Sequence, residues 1–301
     1  MNNKIIVILG QTSTGKSDFA VEIAKLINGE IISADSRQVY KGMDLGTGKI
    51  TKKEMKNVTH HLLDIISPSK VFSVNDFQKK ANKKIEEIIK KGKVPIICGG
   101  TGFYIDAVVN GTIFPNVPPN KKLREELYLL NAIALSRYLE KLDPEKAKMI
   151  DKNNKVRLVR AIEIAKALGS VPETINNISK YQFLKVGLIL PPEILKERIK
   201  VRLLSRIKKG MINEIKKLHE NKISWKRLNS FGLEYRHVSL YLQNKVKKDE
   251  MTEKLNTDIW HFAKRQNTWF KRDLNIKWID LRKKSDVLKI KKEIKEFLVH
   301  E

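Results

Sequence analysis

The stretch that decides the fold is Gly10-Gln11-Thr12-Ser13-Thr14-Gly15-Lys16-Ser17, which lies between an apolar run and a helix-patterned segment. The apolar run is Ile5 to Leu9, and the helical pattern extends from Asp18 to Ile27. A strand, a glycine-rich turn and a helix in this order are the context that a P-loop requires. The sequence therefore predicts a phosphate-binding loop near the start of the chain.

Each part of this motif contributes to anion binding. The two glycines let the backbone curl, so that consecutive N–H groups point at one anion with the helix N-terminus behind them. Lys16 adds a mobile positive charge, and the Ser17 hydroxyl is a ligand for Mg²⁺ beside the phosphates. All eight residues of the loop are therefore candidate contacts of a diphosphate or polyphosphate, and Mg²⁺ is the cofactor that the motif predicts.

Composition suggests a polyanionic partner. The 301 residues include 60 Lys and Arg against 34 Asp and Glu, a formal charge of +26. Such an excess fits nucleic acid, but a lysine-rich surface unrelated to any ligand gives the same count. The single cysteine, Cys98, excludes an internal disulfide framework and a cysteine-based zinc site. No signal peptide or membrane span is evident, so we expect a soluble, cytoplasmic protein that does not bind membranes.

Strand and helix signals alternate over the first 114 residues. Strand patterns at Ile31 to Ser33 and Val94 to Cys98 flank a helical pattern from Val74 to Lys90. This alternation predicts an α/β fold, a P-loop NTPase-like parallel sheet flanked by helices. Ligands of such sheets bind at the carboxyl ends of the strands. Gly10, Asp35 and Thr101 each follow a strand, so we expect them to converge on one cleft.

The alternation stops at Phe114, where a proline-rich segment begins. From there to about Lys180 the signals are helical only, which predicts an all-helical insertion domain over 115–180 within a core of 1–114 and 181–301. The helical patterns of the insertion are Leu123 to Leu139, Pro144 to Met149 and Lys155 to Leu168. Further elements predicted for the core are a strand from Leu184 to Leu190, helices from Ile194 to Ile207 and from Met211 to His219, a strand from Ile276 to Ile279 and a helix from Asp286.

Three more clusters contain residue types that carry chemistry. Asp35, after a strand and facing the P-loop, can coordinate Mg²⁺, orient a nucleophile or act as a base, but a turn or N-cap aspartate has the same position. Thr101 places a hydroxyl at a helix start, where it can contact a ligand or cap the helix. Residues 264–272 interleave Lys and Arg with Trp269 and Phe270, a pattern that fits RNA contact or an amphipathic core helix.

Taken together, these blocks resemble one family, the tRNA dimethylallyltransferases, also called tRNA isopentenyltransferases. The likeness spans nearly the whole chain, and its motifs stand in the right order. The matching stretches are Gly10 to Ser17, Ala34 to Tyr40, Met43 to Thr47, His60 to Asp64, Ser73 to Phe77, Gly99 to Tyr104, Asp143-Pro144, Asn153 to Ile162, and Lys264 to Phe270.

The resemblance implies transfer of a dimethylallyl group from dimethylallyl diphosphate to the exocyclic N6 amine of the adenosine 3′-adjacent to the anticodon, with release of diphosphate. It implies four catalytic residues. Lys16 would stabilise the leaving diphosphate, Asp35 would accept a proton or hydrogen bond from the amine, Thr101 would lie beside the acceptor base, and Arg202 would contact the donor. Arg198, one turn earlier, is a weaker candidate, and Arg206 departs from the family pattern, where we expect methionine.

The resemblance also implies broad contact with the anticodon arm of tRNA. Arg157 and Arg160 share one helix face, while Leu158 can pack inward. Because a C-terminal zinc finger, frequent in eukaryotic relatives, is not present, we expect a bacterial-type enzyme. We also expect it to act as a monomer. The residues implied in RNA binding are Asp35, Ser36, Arg37, Gln38, Thr101, Arg124, Val156, Arg157, Leu158, Val159, Arg160, Lys264, Arg265, Gln266, Trp269 and Lys271.

Three other interpretations remain open from the residues alone. A P-loop nucleotide or metabolite kinase shares the loop, the chain length and the Mg²⁺, although it gives no role to Asp35 or to residues 264–270. An adenylate isopentenyltransferase would prenylate free nucleotide, whereas the insertion and the basic C-terminal half favour tRNA. A non-catalytic RNA-binding NTPase explains the charge but leaves Asp35 and Thr101 without roles.

Overall fold

A computed structural model describes residues 3–173, 175–177 and 179–299 of the chain. Within these residues there are eight strands. In chain order they are β1 (Lys4–Gly10), β2 (Gly29–Ser33), β3 (His60–His61), β4 (Val94–Gly99), β5 (Thr112–Ile113), β6 (Ile175–Asn176), β7 (Gln182–Leu188) and β8 (Ile276–Ile279).

Fourteen helices occur in the same described ranges, and none of them is long and apolar enough to cross a membrane. They are α1 (Lys16–Leu26), α2 (Lys52–Met55), α3 (Val74–Lys90), α4 (Gly102–Val109), α5 (Lys121–Leu129), α6 (Ala132–Leu142), α7 (Pro144–Met149), α8 (Lys155–Leu168), α9 (Pro192–Lys208), α10 (Met211–Glu220), α11 (Trp225–Ser230), α12 (Leu233–Leu242), α13 (Lys248–Phe270) and α14 (Lys284–Val299).

Six of these eight strands form one sheet in the order β3-β2-β4-β1-β7-β8, and every neighbouring pair is parallel. All seven residues of β1 are buried, as expected for a central strand covered on both faces. Ile5, Val7 and Leu9 pack into one hydrophobic core, whereas Ile6 and Ile8 pack into a second core on the opposite face. The predicted α/β fold with a parallel sheet flanked by helices is confirmed.

The chain divides into two compact units. The first comprises the residues up to Asn110 and those after Asn177, and it contains the parallel sheet. The second is Gly111–Asn177, where the sequence predicts an insertion over 115–180. Its own core is a cluster of buried side chains from α5 to α8 that includes Leu127, Leu135, Leu158 and Ile162.

Two details of the second unit differ from the sequence prediction. The single helix predicted from Leu123 to Leu139 is two helices, α5 and α6, because Leu130 is extended and the Asn131 side chain accepts a hydrogen bond from the N–H of Ala134, capping α6. The unit is also not all-helical, since β5 and β6 pair antiparallel at its two chain ends. Strands of two residues are too short to leave a periodic pattern in the sequence.

Most other elements lie where the periodicity predicts them. The helices Val74–Lys90, Pro144–Met149 and Lys155–Leu168 and the strand Ile276–Ile279 have the predicted bounds. Helices α11 and α12 have no counterpart among the elements predicted from the sequence, and only the end of α13 was predicted. Residues 225–242 contain buried tyrosine, histidine and serine, so the contrast between polar and apolar positions that marks a helix face is weak there.

Candidate active site

The carboxyl ends of β1, β2 and β4 surround a cavity of about 570 Å³ within the first unit. All four residues predicted to be catalytic line it, namely Lys16, Asp35, Thr101 and Arg202 of α9. Other predicted residues on its wall are Thr12, Ser17, Ser36, Arg37, Gln38, Arg265, Gln266 and Trp269. The placement follows from the parallel sheet, which brings the ends of sequence-distant strands to one edge.

The P-loop joins β1 to α1 as the motif predicts. Gly10 adopts a φ of 137°, and a Cβ atom at this position would lie 2.5 Å from the carbonyl oxygen of Leu188 on the neighbouring strand. Helix α1 begins after Gly15, and no side chain caps it. Its first N–H groups and the positive end of its dipole are therefore available to an anion.

Side-chain hydrogen bonds fix the shape of the loop from within. The Thr14 hydroxyl donates to the carbonyl oxygen of Gln11 at 2.9 Å, and the Gln11 amide donates to the carbonyl oxygen of Ala263 at 3.1 Å. Both side chains are buried. Gln11 and Thr14 thus shape the loop and do not line the cavity, so their predicted part in phosphate binding is indirect.

Lys16 carries the charge that the P-loop motif predicts. Its ammonium donates to the carbonyl oxygen of Gln11, across the loop. Burial lowers the pKa of Lys16 to about 8, and the nearby guanidinium of Arg202 acts in the same direction, whereas Cys98 and Asp35 oppose it. A cation destabilised in this way gains most when a phosphate anion replaces the carbonyl as its partner.

Asp35 and Thr101 are joined through one turn. Asp35 Oδ1 accepts hydrogen bonds from the N–H groups of Arg37 at 2.8 Å and Gln38 at 3.3 Å, which fixes the turn after β2. Thr101 does not cap α4 with its side chain; its hydroxyl accepts a hydrogen bond from the N–H of Ser36 at 3.1 Å. Asp35 Oδ2 makes no hydrogen bond to the described residues. The carboxylate is therefore held rigidly and retains one oxygen for a ligand.

Arg202 reaches the cavity from α9. Its guanidinium donates to the carbonyl oxygen of Gly48 at 3.0 Å and lies 3.4 Å from the Thr12 hydroxyl in the P-loop. No carboxylate of the described chain forms an ion pair with it. Burial, reinforced by the nearby Arg206, lowers the pKa of Arg202. The cavity wall thus carries two half-buried cations, Lys16 and Arg202, neither of which forms an ion pair with a carboxylate of the described residues.

Helix α13 closes one side of the cavity. The Gln266 amide donates to the carbonyl oxygen of Gly100 at 2.8 Å and accepts from the N–H of Thr12 at 2.8 Å, so it ties the P-loop to the loop after β4. Gln266 is buried and uses both ends of its amide inside the protein. Gln266 therefore braces the two loops beside the cavity that it lines, and its predicted contact with RNA stays a prediction.

The remaining predicted residues of this segment divide by exposure. Trp269 is half-buried, donates from Nε1 to Asp106 Oδ2 at 2.8 Å, and carries the Arg272 guanidinium 4.1 Å from its ring centroid. Lys264, Arg265 and Lys271 are exposed. The segment therefore combines the two interpretations of its sequence, with a partly packed aromatic residue and basic residues at the surface.

In the second unit, most predicted RNA contacts of α8 have other partners. The side chain of Glu163 is 1% exposed and accepts hydrogen bonds from Arg124 at 2.7 and 2.8 Å and from Arg160 at 2.7 Å. Leu158 and Val159 are buried in the core of the unit, so the prediction that their side chains contact RNA is wrong. Val156 and Arg157 are exposed, as an RNA-binding face requires.

Sequence reasoning missed part of the cavity wall. Residues Phe231 to Arg236, at the junction of α11 and α12, line the cavity, as do Ile259 and Phe262 of α13. These positions belong to no motif with a chemical spacing, and their apolar members look like ordinary core residues. Gly232, which lies between α11 and α12, is the one sequence signal for a change of chain direction there.

The described residues contain no group of three or more His, Cys, Asp or Glu that could hold a metal ion. Mg²⁺ takes six oxygen ligands and is usually held by one or two protein groups with waters and substrate phosphates. The Ser17 hydroxyl, exposed on the cavity wall at the start of α1, fits that kind of site. The donor set thus suits Mg²⁺ that arrives with a diphosphate and not a resident metal.

These features define an α/β protein with a P-loop whose cavity also contains a fixed carboxylate, that of Asp35. The family model described as IPP transferase matches residues 38–273. The chain belongs to this family.

Curated relatives are similar in sequence to this chain over most of their length. The tRNA dimethylallyltransferase 2 of Treponema denticola is 45% identical over 283 residues, which cover 91% of this chain and 95% of that protein. The tRNA dimethylallyltransferase of Halothermothrix orenii is 38% identical over 304 residues, 98% of this chain and 92% of that protein.

Solved structures show the same fold. The full-length tRNA isopentenylpyrophosphate transferase of Bacillus halodurans superposes with a TM-score of 0.75 at 36% identity and covers 98% of this chain and 97% of that one. A eukaryotic dimethylallyltransferase acting on tRNA has a TM-score of 0.72 at 27% identity, over 89% of this chain and 69% of that one.

Proposed function

We propose that this chain transfers the dimethylallyl group of dimethylallyl diphosphate to the N6 amine of the adenosine 3′-adjacent to the anticodon of tRNA. The observation that carries the proposal is the cavity in which the P-loop cations meet the carboxylate of Asp35 and the hydroxyl of Thr101. A phosphate site opposite a fixed acceptor of protons suits a reaction that expels diphosphate and deprotonates an amine. The curated relatives carry the same activity in their names.

On the donor side, the C1–O bond to diphosphate breaks and negative charge develops on the leaving group. Lys16, Arg202 and the uncapped N–H groups of α1 are placed to stabilise that charge. Mg²⁺ held between Ser17 and the diphosphate oxygens would supply further charge stabilisation when bound. Burial makes each of these interactions stronger than it would be in water.

On the acceptor side, a new bond forms between N6 and C1 of the prenyl group, and the amine loses a proton. Asp35 Oδ2, which has no partner in the described chain, is the oxygen that would accept this proton or a hydrogen bond from the amine. Thr101 holds the same turn through the N–H of Ser36 and would lie beside the base. The adenine must leave its stack to reach a cavity inside the protein, as in other base-modifying enzymes.

The wider RNA contacts are proposals as well. In the first unit, exposed Lys264, Arg265 and Lys271 would neutralise phosphates of the anticodon arm, and Arg157 would do so in the second unit. We also propose that the enzyme acts as a monomer.

The test supplies purified protein with dimethylallyl diphosphate, Mg²⁺ and unmodified tRNA whose anticodon loop carries adenosine at the 3′-adjacent position. We expect one nucleoside to gain the mass of a dimethylallyl group in place of hydrogen, and a tRNA with guanosine at that position to gain nothing. Prenylation of free AMP with tRNA unmodified would favour the adenylate isopentenyltransferase. Transfer of phosphate from ATP to a small acceptor, without prenylation, would favour a kinase.

A further inference from the structure

At Arg206, where the resemblance leads us to expect methionine, the guanidinium bonds to a loop and to a carboxylate. Arg202 and Arg206 are four residues apart on α9 and therefore lie on one helix face. Arg206 Nε donates to the carbonyl oxygen of Leu45 at 2.5 Å, and Nη2 donates to the carbonyl oxygen of Gly46 and to Glu234 Oε1 at 2.9 Å. A methionine side chain could make none of these bonds, since its sulfur is only a weak acceptor.

The backbone N–H groups of the same loop are also hydrogen-bonded. Glu214 of α10 accepts hydrogen bonds from three consecutive N–H groups, those of Asp44 at 2.9 Å, Leu45 at 2.6 Å and Gly46 at 2.9 Å. The carbonyl oxygens of two of these residues are held by Arg206. The loop of residues 44–48 is thus fixed from two sides. The Glu214 carboxylate accepts hydrogen bonds from its N–H groups, and the Arg206 guanidinium donates hydrogen bonds to its carbonyl oxygens.

This loop ends at Gly48, which is hydrogen-bonded to Arg202. Gly48 accepts the 3.0 Å hydrogen bond from Arg202 Nη2, and a Cβ atom at this position would lie only 2.4 Å from that nitrogen. The φ of 61° at Gly48 also favours glycine. The other side of the Arg202 guanidinium approaches Thr12 of the P-loop. The position of the loop therefore sets where Arg202 meets an anion bound at the P-loop.

We propose that Arg206 is a positioning residue of the donor site: together with Glu214 it fixes the loop of residues 44–48, and through Gly48 it aims Arg202 at the donor diphosphate. Arg206 also lines the cavity. Because its Nε and Nη2 are bound to the loop and to Glu234, we assign it a positioning role, and the variants below separate this role from direct contact with the donor. The identity of the donor rests on the proposed function. The binding of a diphosphate group to this site does not depend on the proposed function. The role of Arg206 and the proposed function can therefore be tested separately.

The test uses inorganic pyrophosphate with Mg²⁺, titrated calorimetrically into the full-length protein. Arg206→Met should weaken pyrophosphate binding about tenfold, the scale expected for loss of charge-assisted hydrogen bonds. In turnover assays the same variant should raise the KM for dimethylallyl diphosphate by a similar factor and leave the KM for tRNA unchanged. Lys208→Met, an exposed position on the same helix, is the matched control and should change neither quantity.

Glu214→Gln separates positioning from direct electrostatic attraction. If the loop is the link, loss of an acceptor for its N–H groups should weaken pyrophosphate binding, even though a negative charge near the anion has been removed. The Arg206→Met, Glu214→Gln double variant should then lose less affinity than the two single losses combined, because both act on one loop. Tighter pyrophosphate binding by Glu214→Gln, or unchanged binding by Arg206→Met, would overturn the proposal.

Folding and the proposed function are checked separately. Thermal unfolding identifies a variant that has lost its fold, and Arg206→Lys, which keeps the charge but not the fork, then takes the place of Arg206→Met with a smaller expected loss. If the wild-type protein binds pyrophosphate but modifies no tRNA, the proposed function fails, while the comparison of pyrophosphate affinities still decides the role of Arg206.

Discussion

The cavity of the first unit and the α8 helix of the second unit use basic residues in opposite ways. In the cavity, Lys16 and Arg202 are half-buried, contact carbonyl and hydroxyl oxygens, and have no ion-pair partner among the described residues. In the second unit, Arg124 and Arg160 converge on the buried carboxylate of Glu163. Charge in the cavity is left for a ligand, whereas much of the charge around α8 is used to hold its own unit together.

The comparison shows that a basic residue in an RNA-modifying enzyme is not by that fact an RNA contact. A buried cation without a counter-ion is costly to the fold and therefore indicates a ligand that compensates it. A cation paired with a buried carboxylate is explained by the fold alone. Variants of both groups of residues test this distinction.

Lys16→Ala should have the largest effect, a fall in kcat of about 10³-fold, because one preorganised donor to the leaving group is lost from a buried site. Single-turnover prenylation of tRNA with saturating donor measures it. The thermal midpoint should stay the same or rise, since a buried unpaired charge is removed. Near-normal turnover would contradict the assignment of this loop to the diphosphate.

Asp35→Ala should lower the single-turnover rate by about 100-fold, the usual size of a general acid–base contribution. Asp35→Asn keeps the turn acceptor and serves as the matched variant, so a rate loss that it shares reports chemistry and not the turn. A rate that barely moves while tRNA affinity falls would make Asp35 a residue that only positions the base.

Glu163→Gln should destabilise the second unit by about 3 kcal/mol, because two arginines lose a buried counter-charge. Although burial opposes ionisation, hydrogen bonds from Arg124 and Arg160 lower the pKa of Glu163. The contribution of Glu163 to the stability of the second unit is therefore fully present above the ordinary carboxyl pKa and is lost as pH falls through the lowered pKa of Glu163. Denaturant unfolding measures the change. Glu145→Gln, which breaks an exposed pair with Lys148, is the control and should leave the stability of the second unit nearly unchanged.

Donor binding should weaken as pH rises through about 8, because the free enzyme then loses the charge on Lys16. The value of kcat/KM for dimethylallyl diphosphate, measured with saturating tRNA, should fall about tenfold per pH unit above that point. Lys16→Arg stays charged over this range and should lack the fall. A wild-type profile that is flat to pH 9.5 would be inconsistent with Lys16 as the binding cation.

Arg157 and Arg160 provide the smallest and most direct test of the comparison. Arg157→Ala should weaken tRNA binding a few-fold and reduce the slope of log K against log salt by about one, as loss of one phosphate contact does. Arg160→Ala should leave that slope unchanged and lower the stability of the second unit, because its guanidinium is bound to Glu163 and to the Val117 carbonyl. Equal loss of salt slope in both variants would show that pairing with Glu163 does not prevent RNA contact.

Much of the first unit could be predicted because its signals are local. The P-loop and the apolar runs of β1 and β4 are contiguous in sequence, and a parallel sheet brings their ends together by topology alone. The predicted convergence of Asp35 and Thr101 is confirmed for this reason. The inward orientation of Gln266 and the burial of Val159 could not be predicted, because helical spacing gives the faces of a helix without saying which one meets the core.

The chain's local sequence by itself determined the phosphate-binding loop, the parallel α/β sheet and the family, since each depends on residues that are neighbours or follow a short period. Only the tertiary structure decided which charged groups have partners. The pairing of Glu163 with Arg124, and the grip of Arg206 and Glu214 on one loop, join residues far apart in sequence. Such contacts leave no periodic or motif signal, because they depend on how whole elements pack.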